Sequence, residues 1–227
     1  MTRFFQVAWL VMRKDLRVES RSWEMVSTTL FFAASTVLVF AFAFVRAGRA
    51  VDGAAPGILW IALAFSGTLA LGRAFERERH QDALRGLLMA PVERSAIYCG
   101  KLMGIVLLMG AAELLVVLAV ALTFQAPLLR HPFYLTALLA TGTVGFAAVG
   151  TLFAAMLLRT QSRGVLLPII LYPVTFPVLI AGVGGTVALV QADPNLELVR
   201  FWVALLCFFD AVFLVLSLWT FEPVMTE

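Results

Sequence analysis

Long stretches without a charged side chain alternate along this chain with short charged ones. Met25 to Val45 holds 21 residues free of Asp, Glu, Lys and Arg, and Gly53 to Gly72 holds 20. Leu102 to Leu129 is interrupted only by Glu113, and Phe201 to Phe221 only by Asp210. His131 to Leu158 and Gly164 to Ala192 carry no such charge at all. A helix rises about 1.5 Å per residue, so roughly 20 apolar residues cross the hydrocarbon core of a bilayer. The pattern predicts six spanning helices. A transmembrane barrel would alternate apolar and polar positions, which these runs do not.

The N-terminal segment has a different period. Phe5, Trp9, Met12 and Leu16 fall at i, i+4, i+7 and i+11, with Arg13, Arg17 and Arg21 elsewhere on the helix. This spacing predicts a helix lying in the membrane interface. The short apolar stretch Phe4–Met12 runs into Arg13-Lys14-Asp15 without a small-residue cleavage site, unlike a signal peptide.

Composition agrees with the pattern. Of 227 residues, 62% are hydrophobic and 14% charged, which excludes both a water-soluble globule and a disordered chain. The net charge of +3 reflects where the basic residues lie rather than a nucleic-acid partner. Thirteen of the 17 Lys and Arg fall on the N-terminal segment and the even-numbered loops, against four on the opposite side. The positive-inside rule therefore places both termini in the cytoplasm. Trp23, Trp60, Tyr134, Trp202 and Trp219 fall near the ends of spans, as interface anchors do.

The cytoplasmic stretch 73–101 is the strongest local signal. Glu76-Arg77-Glu78-Arg79-His80 is a charge run, followed by an apolar stripe of Ala83, Leu84, Leu87 and Leu88. Pro91 ends that stripe, and Glu93 and Arg94 open a new helix. A short amphipathic helix between two spans serves either to rest on headgroups or to dock a soluble partner.

Catalytic chemistry is missing from the pattern. There is no phosphate-binding loop, no zinc-protease or serine-hydrolase motif, and no Cys/His cluster. Cys99 and Cys207 are isolated, as are His80 and His131. Glu113 and Asp210 are the candidate intramembrane functional residues, because ionisable groups at membrane depth are costly. A helix–helix hydrogen bond is the competing role for both. Pro168, Pro173 and Pro177 predict a bent or broken fifth span, either a moving element or a static kink. Gly100-x-x-x-Gly104 and Gly150-x-x-x-Ala154 allow close helix packing.

At the loop residues the chain resembles a known class. Glu76-Arg77-Glu78 with Ala83-Leu84, Leu87-Leu88, Pro91 and Arg94 resembles the coupling-helix region of ABC-2 type permeases. More specifically, the chain resembles the haem exporter protein B (CcmB) family of cytochrome c maturation. The matching pieces are Lys14-Asp15-Leu16-Arg17 with Glu19, Ala55-Pro56-Gly57-Ile58-Leu59-Trp60, and Gly67-Thr68-Leu69-Ala70-Leu71. They continue through Arg94-Ser95-Ala96-Ile97-Tyr98, Gly100-Lys101, Arg163-Gly164-Val165-Leu166-Leu167-Pro168, and Pro173 to Pro177.

The resemblance implies an all-α inner-membrane protein of six transmembrane helices. Residues 1–24 would form the interfacial helix, 25–221 the permease domain with its coupling loop 73–101, and 222–227 a short tail. It implies a non-catalytic subunit whose ATP is hydrolysed on a separate cytoplasmic ABC ATPase docked at the coupling residues. The other implied partners are a haem-handling membrane subunit, a small membrane subunit and a periplasmic haem chaperone, around one or two copies of this chain. The implied work is haem export or release of the haem-loaded chaperone. The five Trp residues are scattered and His131 stands alone beside Pro132, so no cofactor is expected on this chain itself, and haem would be handled by the complex. The alternatives are an ABC-2 permease for a drug or lipid-linked glycan, and a proton-coupled transporter using Glu113 and Asp210.

Overall fold

The computed structural model describes residues 2–46, 49–51, 53–80, 93–157 and 163–226. Its elements are α1 (Thr2–Ser22), α2 (Glu24–Phe44), β1 (Val45–Arg46), β2 (Arg49–Ala50), α3 (Ala54–His80), α4 (Arg94–Phe124), a 3-10 turn (Leu128–Arg130), α5 (Pro132–Met156), α6 (Arg163–Val190) and α7 (Leu196–Thr226). Helices α2 to α7 are each long and apolar enough to cross a membrane. The expected all-α, six-span architecture is therefore what the chain adopts. The two-residue strands form only a small antiparallel clip in the α2–α3 connection, with Val45 opposite Ala50 and Arg46 opposite Arg49.

Burial locates the centre of the bundle. Two-thirds of the spans in α3 and α5 are buried (67% each), against 17% in α2 and 22% in α7. Helix α5 is central because it is built of small residues. Gly142, Gly145, Ala147, Ala148, Gly150, Ala154 and Ala155 are all buried along it, and such residues let neighbouring backbones approach where lipid supplies no hydrophobic drive. The outer surfaces of α2, α5 and α7 carry Phe31, Phe42, Phe133, Phe208 and Trp219, all largely exposed. At membrane depth those side chains face hydrocarbon.

Three features refine or correct the sequence reading. The charged ends of the 73–101 stretch are helical: Arg73–His80 continues α3, and Arg94–Lys101 forms the start of α4. Charge marks the hydrocarbon boundary, whereas the backbone ladder continues beyond it. Of the bent or broken alternatives for the fifth span, the break is absent: helix α6 runs from Arg163 to Val190 through Pro168, Pro173 and Pro177. Each proline removes one ladder bond, and three losses spread over 28 residues leave the rest of the ladder to hold the helix. Trp60 is 3% exposed, so it is a core residue rather than an interface anchor. Trp23 and Trp219 are well exposed, whereas Trp202 is half-buried and its indole N–H is enclosed.

Candidate functional site

The end of the bundle where α3 finishes and α4 begins holds the densest polar chemistry. Lys101, in the third turn of α4, has a side chain only 6% exposed. Its ammonium donates to Asp15 Oδ2 of α1 at 2.7 Å, and Lys14 Nζ lies 2.9 Å from Asp15 Oδ1. A desolvated ammonium is stable only when paired and hydrogen-bonded, so the pair fixes where α1 lies. Small residues make the contact possible. A Cβ on Gly100 would stand 2.6 Å from Ala8 O and 2.7 Å from Val11 Cβ. Thus α1 packs on α4 through Ala8, Val11 and Asp15.

A buried acid fixes the turn from α1 to α2. Glu19 is 5% exposed, and its Oε1 accepts the Val26 N–H at 2.7 Å. That donor belongs to the first turn of α2, where unpaired N–H groups and the helix dipole favour a carboxylate. Between them Trp23 adopts a left-handed conformation, φ 51°, so a single residue separates the two helices. Arg73 of α3 reaches Glu24 at 4.0 Å on the exposed side of this corner.

The candidate coupling residues divide along the chain. Glu76, Arg77 and Glu78 lie in the last turns of α3, and Arg94 opens α4 as a half-buried residue. Leu84, Leu87, Leu88 and Pro91 lie outside the described residues.

The intramembrane acids sit on different helices. Glu113 is buried in α4 (8% exposed), and its Oε1 has no hydrogen-bond partner among the described residues. Asp210 of α7, also 8% exposed, lies against α5 with Oδ1 likewise unpartnered. A Cβ on Gly145 would stand 2.5 Å from that oxygen, so glycine at 145 makes room for the carboxyl. Of the prolines of α6, Pro173 and Pro177 are exposed and Pro168 is half-buried.

His131 precedes α5 as a half-buried residue, one position from the Arg130 guanidinium that donates to Ala192 O at 3.5 Å. Among the described residues no three His, Cys, Asp or Glu side chains converge on a possible metal position.

Two joints were absent from the sequence reading as joints. The Trp60 indole of α3 lies against Gly142 of α5 and Gly182 of α6, and a Cβ at either glycine would collide with its ring. Its Nε1 donates to Thr186 Oγ1 at 2.9 Å, and Thr186 donates on to Gly182 O at 2.8 Å. Tyr98 of α4 is fully buried. It donates to Ala148 O of α5 at 3.0 Å and packs on Phe221 of α7 with ring centroids 5.3 Å apart. Trp60 and Tyr98 thus tie five of the six spanning helices together.

Comparison with known proteins covers the segments that carry these joints. The model of the family described as CcmB protein matches residues 6–225. The chain is 25% identical to heme exporter protein B of Pseudomonas aeruginosa over 186 residues, which is 82% of this chain and 83% of that protein. It is 28% identical to heme exporter protein B of Rhodobacter capsulatus over 172 residues, covering 76% and 78% respectively. Against heme exporter protein B of Escherichia coli K12 it is 30% identical over 95 residues, 42% of this chain and 43% of that protein. Because the family match runs from the second turn of α1 almost to the end of α7, a range that includes Asp15, Trp60, Tyr98 and Lys101, the chain belongs to the CcmB family.

Proposed function

We propose that this chain is the membrane-spanning permease subunit of an ATP-binding cassette complex for cytochrome c maturation in a bacterial inner membrane. The single observation that supports this reading is the family match over residues 6–225. Haem is the cargo of the complex and is no resident cofactor of this chain. The subunit couples ATP hydrolysis on a separate cytoplasmic ATPase to haem export or to release of a haem-loaded periplasmic chaperone. A haem-handling membrane subunit and a small membrane subunit complete the assembly. Co-purification in mild detergent tests this directly: an ATPase and haem proteins should accompany the chain. Recovery with an ATPase but no haem protein would favour an ABC-2 permease for another substrate.

In this reading the ATPase docks on the segment between α3 and α4. Leu84, Leu87 and Leu88 follow the i, i+3, i+4 spacing of a helix anchored in a groove. Truncating a well-packed anchor costs roughly 2 kcal/mol, and each 1.4 kcal/mol is about tenfold in affinity. The double change Leu84→Ala and Leu87→Ala should therefore weaken ATPase recovery by tenfold or more while leaving insertion intact. Undiminished pull-down would remove this segment from the docking role.

Both termini lie in the cytoplasm in this reading, which the basic asymmetry of the loops supports. Cysteine labelling on a variant lacking Cys99 and Cys207 should reach position 52 only from the periplasmic side. Labelling of that position only from the cytoplasm would invert the orientation.

A further inference from the structure

Helix α1 presents three stripes. Ala8, Val11, Asp15 and Glu19 face the bundle and are buried or half-buried. Phe5, Trp9 and Leu16 form the next stripe, 68%, 55% and 37% exposed. Arg13, Arg17 and Arg21 form the third at i, i+4 and i+8, all exposed. Lys14 and Lys101 both engage Asp15, and Arg73 engages Glu24. By contrast, among the described residues none of these three guanidinium groups has an acidic partner. The helix cannot roll to hide either outer stripe, because the Asp15–Lys101 pair and the close approach of Gly100 to Ala8 and Val11 hold its orientation.

We propose that α1 is a binding site for acidic phospholipid. The apolar stripe takes acyl chain while the adjoining arginine stripe takes the headgroup phosphate. One amphiphilic molecule satisfies both stripes together. An acidic protein surface would pair with the arginines but would leave Phe5 and Trp9 in water. Guanidinium groups suit phosphate oxygens because their fork of N–H donors can bind two at once. The site also has a mechanical consequence. Lipid that holds α1 holds the first turns of α4 through Asp15–Lys101, next to the segment read as the ATPase dock. The inference rests on the chain being a membrane protein and is independent of the haem reading.

The test is a titration of the purified full chain, in neutral detergent, with short-chain phosphatidylglycerol or phosphatidylcholine, followed by thermal unfolding. Phosphatidylglycerol should raise the midpoint at lower concentration than phosphatidylcholine. Each basic side chain near an acidic surface contributes roughly fivefold in affinity. The triple change Arg13→Gln, Arg17→Gln and Arg21→Gln should therefore lower the preference by about a hundredfold, whereas the corresponding triple lysine variant should keep most of it. If the glutamine variant fails to fold, salt gives the same answer on the unmodified chain. At about 1 M NaCl, where screening shortens to about 3 Å, the preference should vanish. Equal protection by inorganic phosphate would overturn the proposal in favour of a free-anion site. A glutamine variant that loses the ATPase but keeps its lipid preference would overturn it in favour of a protein dock. A preference that survives both the substitutions and high salt would also overturn it.

Discussion

Replacing Trp60 with alanine should cost about 3–5 kcal/mol of stability, the range for emptying a buried aromatic site. The indole contacts glycines of two other helices and is hydrogen-bonded to Thr186. Its removal leaves a space bordered by backbone, which closes poorly. Trp60→Phe should be milder, because it keeps a ring in the slot and loses one neutral hydrogen bond worth about 1 kcal/mol. Thr186 keeps its own bond to Gly182 O in either variant. Enlarging the slot walls should do comparable damage from the other side. Gly142→Ala or Gly182→Ala places a methyl where the ring lies, and overpacking costs typically 1–3 kcal/mol. Unfolding in detergent checks the series. A Trp60→Ala variant within about 0.5 kcal/mol of the parent, the behaviour of a surface position, would show that the slot is not structural.

The second large effect should be asymmetric. Asp15→Asn removes the carboxylate from a lysine whose side chain is 6% exposed, whereas Lys101→Met removes the lysine from an aspartate that is 28% exposed and also held by Lys14. Breaking a buried pair costs about 3–5 kcal/mol when the charge left behind stays buried. Asp15→Asn should therefore approach that range, and Lys101→Met should cost clearly less. The double variant Asp15→Asn with Lys101→Met should be more stable than Asp15→Asn alone, since no ammonium then remains to be desolvated. Melting curves of the three variants decide the matter. Equal single-variant losses that simply add would mean that the two residues act separately.

The spans were legible because a bilayer imposes one rule, that about 20 residues stay uncharged, and the chain obeys it four times outright and twice with a single acid, Glu113 or Asp210, inside the run. The joints between spans were not legible. Lys101 reads as the last basic residue of a loop, yet it is buried, because its partner lies 86 residues earlier. Trp60 stands six residues into α3, where an interface anchor would also stand. Only the glycines at 142 and 182, on helices far along the chain, turn it inward. Gly100-x-x-x-Gly104 signalled a close approach but could not name the approaching helix, which is α1. Glu113 and Asp210 were identified from their cost alone, and the slot at Gly145 explains how α5 accommodates the second. In each case the missing information was a contact between helices, which no periodicity along one helix contains.

The separation of Asp15 from Lys101 also has a meaning in time. A chain emerging from the ribosome at about 5–20 residues per second presents Asp15 of α1 roughly 4–17 s before the lysine that anchors it, given their separation of 86 positions. Two hydrophobic spans are made in that interval, while the face of α1 that carries Ala8, Val11 and Asp15 has nothing to lie against. If α1 binds lipid as proposed, its exposed Phe5, Trp9 and Leu16 stripe would hold it on the bilayer surface during the delay. When α4 arrives, the waiting aspartate meets the incoming ammonium. The order of synthesis thus leaves the Asp15 contact of the first helix to form only after the two spans that follow it have been made.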